Sequence, residues 1–199
     1  MIGAGPAGLM AAEELAKSGL VVWVVDAKPS FGRKFLMAGK SGLNLTKSEA
    51  QETFRAQFHA AQAPLRPMLD AFGPTQVAAW ATGLGQALFT GTTGRVFPTA
   101  MKASPLLRSW LERLDTLGVV RKTRWRWTGW EDGSLQFDTP QGRVSLNPKA
   151  TVLALGGGSW ARLGSDGKWV EHLQKQGISL APFQPANTGL LVDWSPHMA

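Results

Sequence analysis

At 199 residues the chain is long enough to bury a core and fits one or two domains. It has no cysteine, which excludes disulfide staples, thiolate metal sites and a redox-active thiol pair, and its three histidines are scattered without ligand spacing. The formal charge of +7, from 21 Lys+Arg against 14 Asp+Glu, favours anionic partners such as cofactor phosphates or RNA.

The first 26 residues carry the strongest pattern. Gly3-Ala4-Gly5-Pro6-Ala7-Gly8 is a G-x-G-x-x-G turn opening a helix. Leu9, Ala12, Leu15 and Ala16 share one helical face, and Gly19 stands where the helix should stop. The run Leu20–Val25 reads as a buried parallel strand, closed by Asp26. In such a βαβ unit Gly3 permits the tight turn, Gly5 leaves room for a diphosphate, and Gly8 lets helix and strand pack closely. Helix-start N–H groups then face the phosphates. Asp26 is placed to accept hydrogen bonds from an adenosine ribose, which favours FAD or NAD over NADP. Only Met1 and Ile2 precede the turn, so the first strand reads as clipped against the usual length of about five or six residues.

Residues 27–34 form a Pro/Gly loop with Lys28, Arg33 and Lys34. After Phe35–Ala38 comes a donor-rich loop with Gly39, Ser41, Gly42, Asn44 and Thr46, suited to wrapping a phosphate or ribityl chain or equally to lying plainly on the surface. Ser48 and Gln51 are spaced as a capping box for a helix reaching Ala61, with Phe54 and Phe58 as core. Pro64, Pro67 and Gly73-Pro74 should break the next stretch into short helices faced by Val77 and Trp80. Gly91–Pro98 reads as turn, strand and stop. Ser104-Pro105 reads as N-cap and first helical residue of a helix with Leu106, Leu107, Trp110, Leu111, Leu114 and Leu117 on one face, ended by Gly118.

Residues 119–146 read as a small antiparallel unit with turns at Asp132-Gly133 and Gln141-Gly142. Period two over 121–127 puts Lys122, Arg124 and Arg126 on one face and Trp125 and Trp127 on the other. That is a strand with a solvated cationic face, or a nucleic-acid contact using charge and stacking. Thr151–Leu155 is a second buried-strand run, leading into Gly156–Gly167, a second candidate edge of a nucleotide crevice. Asp166 is placed to cap a helix through Gln176, stopped by Gly177. Pro182, Pro185 and the run 189–194 read as a linker into a new β element. Nothing resembles a signal peptide or membrane span, apolar runs staying far under about 18 residues, so the expected location is cytoplasmic.

Several of these segments occur together in one known group. The glycine turn at 3–8, Gly32-Arg33-Lys34, Asn44-x-Thr46, Gly94–Pro98 and Leu155–Ser159…Gly164–Gly167 stand in the order found in the BaiN/YhiN-like bacterial flavoproteins, which the chain resembles over nearly its whole length. Leu43 stands where many members have cysteine, so no role of that thiol transfers and the chain looks like a subfamily lacking it. The resemblance implies an α/β, Rossmann-type FAD-binding domain of the two-dinucleotide-binding-domain flavoprotein fold with a small antiparallel insertion. It implies residues 1–180 as that domain, incomplete, and 181–199 as the truncated start of a substrate domain, the whole being about the N-terminal half of a longer protein.

By the same resemblance FAD is held by Gly3, Gly5, Pro6, Ala7 and Gly8 at the diphosphate and by Asp26 and Ala27 at the ribose. Arg33 and Lys34 lie near the phosphates, Ser41, Gly42, Asn44 and Thr46 on the ribityl and flavin side, and Gly156 and Gly157 at the second edge. The implied activity is FAD-dependent oxidoreduction, reduced flavin delivering hydride to an enone-like small molecule or to uridine in rRNA, with NAD(P)H as a possible donor. No second G-x-G-x-x-G supports a dedicated NAD(P)H domain, no residue stands out as acid or base, and this stretch alone is expected to hold FAD weakly and to be inactive. Two other readings stay open: a non-catalytic flavin-binding module, and an RNA-binding protein acting through 121–127.

Overall fold

The computed structural model describes residues 1–184 and 192. Helix α1 (Pro6–Lys17) starts at Gly5 and buries Leu9, Ala12 and Ala16 along one stripe. It ends because Gly19 turns left-handed (φ 80°), so that Gly19 N–H reaches Ala16 O at 2.9 Å and Leu20 N–H reaches Leu15 O at 3.2 Å. Strand β1 (Trp23–Asp26) follows. The expected strand from Leu20 is shorter and less buried. Leu20 and Val21 lie in the connection, Val21 being 89% exposed, because pairing begins only at Trp23.

Helix α2 (Arg33–Ala38) takes in the last two residues of the expected 27–34 loop and runs on through Phe35–Ala38. Beyond it β2 (Thr46–Lys47) makes a short edge strand. The expected capping box at Ser48 does not form. Ser48 N–H is spent on Gly94 O, and the Gln51 side chain donates to Leu69 O instead. The helix, α3 (Gln51–Ala56), therefore starts at Gln51 and is joined by a 3-10 turn (His59–Ala61) to α4 (Gln62–Ala71). Phe54 and Phe58 touch edge to face at 5.4 Å but stay only half-buried. Pro64 and Pro67 do not break α4; Gly73-Pro74 does, opening α5 (Pro74–Gly83).

Strands β3 (Leu88–Thr90) and β4 (Arg95–Pro98) form a hairpin, and β2 pairs on the other side of β4. Helix α6 (Ala103–Thr116) begins one residue before Ser104, with Lys102 at the N-cap position and no side-chain cap, so the expected Ser104 cap does not form. Pro105 falls in its first turn, where a missing N–H costs nothing. Leu106, Leu107, Trp110 and Leu114 are its buried face.

Residues 119–127 are not one antiparallel strand. Strand β5 (Val120–Thr123) pairs in parallel with β1, register Trp23↔Val120 to Asp26↔Thr123. Arg124 then takes a left-handed backbone (φ 59°) and breaks the period, its N–H going to Lys28 O. Lys122 consequently lies over the rings of Trp23 and Trp125 at 5.5 and 5.9 Å instead of on a face opposite the tryptophans. The antiparallel meander is β6 (Arg126–Glu131), β7 (Ser134–Thr139) and β8 (Gly142–Leu146), its first turn at Asp132-Gly133 as expected and its second at Pro140-Gln141, one residue before the expected position.

The chain returns through 151–155 beside Ile2, which bridges Val25 on one side and Leu153 on the other, both in parallel. Thr151 and Val152 are exposed and Leu153–Leu155 half-buried, so this run is less covered than its composition suggests. Helix α7 (Trp169–Lys175) follows, with Asp166 accepting from Lys168 N–H ahead of it. Of the run 189–194 only Val192 lies within the described residues.

The parallel segments thus lie in the spatial order 120–123, 23–26, 2, 153, which in chain order is third, second, first, fourth. One face carries α1 and α6 over a core with Val22, Val24 and Trp110. The other carries the meander, where Trp127, Leu135 and Phe137 pack with Ile2 and Val25. This is a Rossmann-type α/β arrangement, and its direction of winding reverses between Ile2 and Leu153.

Candidate functional site

Ligands in such sheets lie beyond the strand C-termini at the point of reversal. Here that point is followed by Gly3 on one side and Leu155-Gly156 on the other, and a cavity of about 940 Å³ opens between them. Each glycine of the turn answers a different steric demand. A Cβ on Gly3 (φ 103°) would sit 2.2 Å from Ala154 O, and one on Gly8 would sit 1.9 Å from Gly3 O. Both positions are closed to any side chain. A Cβ on Gly5 would meet nothing within 4 Å, because Gly5 faces the open cavity.

Gly5 is also the N-cap of α1 and Pro6 its first residue. The first-turn N–H groups of Ala7 and Gly8 have no helical acceptor and stand at the positive end of the helix dipole. Gly3, Gly5, Pro6, Ala7, Asp26, Ala27, Arg33, Lys34 and Gly156 all line the same cavity. Gly8 lies beneath the turn. Gly157 is outside the lining, but its carbonyl accepts the Ser165 hydroxyl at 2.8 Å.

Asp26 works first as a brace. Oδ2 accepts from Ala4 N–H and Oδ1 from Lys28 N–H, each at 2.8 Å. Each oxygen keeps a second lone pair, so the carboxylate can still accept from a ligand hydroxyl. Lys28, Arg33, Lys34, Arg126 and Lys168 outnumber Asp26, Asp166 and Glu171 around the cavity. Among the described residues none of Lys28, Arg33 and Lys34 is in a salt bridge. The Arg33 Nε is buried without a partner, a donor awaiting an acceptor. An open glycine mouth, free helix-start donors and unpaired cations fit a dinucleotide diphosphate.

The far wall was not found from the sequence. Trp125, Trp127, Trp169 and His172 come from β6, its approach and α7, and only the fold brings them to the cavity. Their aromatic character was visible; their convergence was not. Ser41, Gly42, Asn44 and Thr46 lie outside this cavity. They follow the β2–β4 edge, where Gly42 (φ 145°) is covered by Met101, and Ser41 and Asn44 are exposed. Leu43 is buried in the helical core, so the position of the family cysteine is a packing position here.

The sequence also gave no sign of a buried charge behind the turn. Glu13 on α1 is 0% exposed. Its Oε2 accepts from Trp110 Nε1 at 2.7 Å and Trp80 Nε1 at 3.2 Å, and its Oε1 from Arg113 at 3.0 Å and Lys17 at 2.7 Å. Burial alone would raise its pKa, but the hydrogen bonds from Lys17, Arg113 and Trp80 outweigh that and hold it below the ordinary glutamate value. This carboxylate ties α1 to α5 and α6.

No helix among the described residues is long and apolar enough to cross a membrane. The chain is 27% identical over 201 residues to a 3-dehydro-bile acid delta(4,6)-reductase of Clostridium scindens. The match covers 98% of this chain and 48% of that one, so the chain spans about half the length of this relative. Among solved structures it resembles the open conformation of a flavocytochrome c3 fumarate reductase (TM-score 0.58, 23% identity, 78% of this chain and 33% of that one). It also resembles the 3-ketosteroid-delta4-(5alpha)-dehydrogenase of Rhodococcus jostii RHA1 (TM-score 0.56, 15% identity, 78% and 45%). Both likenesses are of fold. Residues 1–189 match the HI0933-like protein Rossmann domain, and the chain belongs to that family.

Proposed function

We propose that the chain is the FAD-binding part of an oxidoreductase that reduces an unsaturated substrate, an enone-like small molecule ahead of uridine in rRNA. The observation that carries this reading is Gly5: it is the one glycine of the turn whose Cβ would meet no part of the fold, so its missing side chain leaves room for a diphosphate without being required by packing. In this reading Gly5, Ala7 and Gly8 offer backbone donors to the diphosphate, Arg33 and Lys34 neutralise it, and Asp26 receives the ribose hydroxyls. Reduced FAD, when bound, supplies the hydride, with NAD(P)H as its source. The walls from β6 and α7 keep water from the nucleotide. Ser41, Gly42, Asn44 and Thr46, set apart from the cavity, form the flavin-side contact.

The enone class is favoured by the relative, which is named a reductase of a delta(4,6) 3-dehydro-bile acid. The RNA reading through 121–127 has less support, since that stretch is two elements and Trp127 is buried. The test compares the full-length protein with its Gly5→Leu variant. Wild type should take up FAD, show flavin absorbance and oxidise NAD(P)H with reoxidation by an enone. Gly5→Leu should fold with unchanged circular dichroism and lose FAD binding at least about a hundredfold, since a side chain would occupy the diphosphate site. Wild type that stays colourless in excess FAD removes the proposal. Bound FAD without NAD(P)H oxidation leaves a non-catalytic flavin module.

A further inference from the structure

Past the last backbone bond of the Ile2–Leu153 pairing, Ala154 N–H to Ile2 O, the two walls of the cavity separate. Among the described residues the side-chain hydrogen bonds that cross from the turn side to the 156–167 loop are those of Lys34. Its Nζ donates to Ser165 Oγ at 3.2 Å and to Ser159 Oγ at 3.3 Å. Ser165 is 4% exposed and passes the link on, its hydroxyl donating to Gly157 O at 2.8 Å. Gly156 (φ 74°) makes room for that hydroxyl, since a Cβ there would lie 3.1 Å from Ser165 Oγ. The lysine thus bonds two neutral hydroxyls, keeps its charge uncompensated, and reaches across the mouth of the cavity.

We propose that Lys34 and Ser165 form a latch that holds the 156–167 loop as the second wall of the dinucleotide groove, Lys34 acting as a positioning residue as well as a charge. The role of that wall in affinity rests on the flavin reading; the latch itself does not. Without Lys34 the loop keeps its backbone tie at Ala154, the Trp169 Nε1 bond to Gly156 O at 3.0 Å and the Lys28 stem against Gly164, but loses its side-chain hydrogen bonds from the turn side, so its amides should open more often. Removing the Ser165 hydroxyl breaks the buried part of the link, leaves only the Lys34 bond to Ser159 Oγ at 3.3 Å, and keeps the charge in place. The two variants therefore separate positioning from electrostatics.

The experiment is amide hydrogen exchange on the ligand-free full-length protein, followed by FAD titration at several salt concentrations. Lys34→Met and Ser165→Ala should each speed exchange of amides 157–166 by about two- to tenfold, the range for one lost hydrogen bond, with Lys34→Arg nearer wild type. Ser165→Ala should weaken FAD binding by a similar factor, and Lys34→Met by more at low salt because it also loses the charge. Lys34→Met should flatten the salt dependence of binding, and Ser165→Ala should run parallel to wild type. Lys34 is half-buried, so its variant keeps the test open if Ser165→Ala fails to fold. Unchanged loop exchange in Lys34→Met overturns the latch, even in a protein that binds no FAD. Faster exchange with unaltered FAD affinity overturns the role of the loop as a wall. Wild type that fails to bind FAD while the loop responds removes the flavin reading and leaves the latch standing.

Discussion

At the scale of single residues, the carboxylate of Glu13 is the most exposed to test because it is the least exposed to water. Its charge is balanced by Lys17 and Arg113 and its remaining acceptor capacity by two indole N–H groups. Glu13→Gln keeps the shape but loses the charge and turns one acceptor oxygen into an NH2, so either the two indoles or the two cations face a donor in place of an acceptor. Breaking a fully buried pair costs about 3–5 kcal/mol. Both cations here are partly solvated, so about 2 kcal/mol is expected from urea unfolding at pH 7. The pH dependence has a definite sign. A glutamate whose folded pKa lies below its ordinary value of 4.5 stabilises the fold above that pH. That contribution should fade as the pH falls from about 4.5 through the lower folded value, and the difference between wild type and Glu13→Gln should shrink over the same interval. A gap between them that stays constant down to acid unfolding would contradict the assignment.

Elements of this chain differ in how much they hold. Helix α6 buries Leu106, Leu107, Trp110 and Leu114, whereas α3 and α4 bury no residue. Leu114→Ala should therefore cost about 3 kcal/mol, as for other leucines removed from a core. Phe54→Ala on α3 should cost under about 1 kcal/mol despite the larger side chain, because its main aromatic contact is half-buried Phe58. Comparable losses in chemical denaturation would mean that α3 packs more firmly than its exposure indicates. The same contrast explains which elements were legible. Helix α6 announces itself by six apolar residues on one face and by Gly118, and it starts two residues ahead of the expected Pro105. Strand β5 did not. Its alternation runs on into 125–127, and period two is the same for a parallel and an antiparallel strand. The break at Arg124 is a backbone angle imposed by pairing to Asp26 and Lys28, partners about a hundred residues earlier, and no local pattern records it.

The molecule as a whole follows the same rule for its site. The turn at 3–8 was readable because its three glycines keep a fixed spacing ahead of a helix, although the backbone that Gly3 must clear, Ala154 O, lies far along the chain. The Gly156–Gly167 edge was also readable, as a glycine-rich run after a strand, but the tryptophan wall was not, because Trp127 and Trp169 reach the cavity only after the meander and α7 have folded over the sheet. A groove assembled from both ends of the chain should be stabilised as a unit by what fills it. At ligand concentrations a hundred times Kd, binding to the folded state adds about 2.7 kcal/mol. For a domain of this size that raises the unfolding midpoint by about 5–10 °C. The cavity between the glycine turn and the tryptophan wall holds the adenosine-diphosphate half of the cofactor in our reading, so ADP and FAD should both raise the midpoint in the full-length protein. FMN, which lacks that half, should not. A shift with FMN and none with ADP would place the nucleotide elsewhere and leave the open face of Gly5 without its ligand.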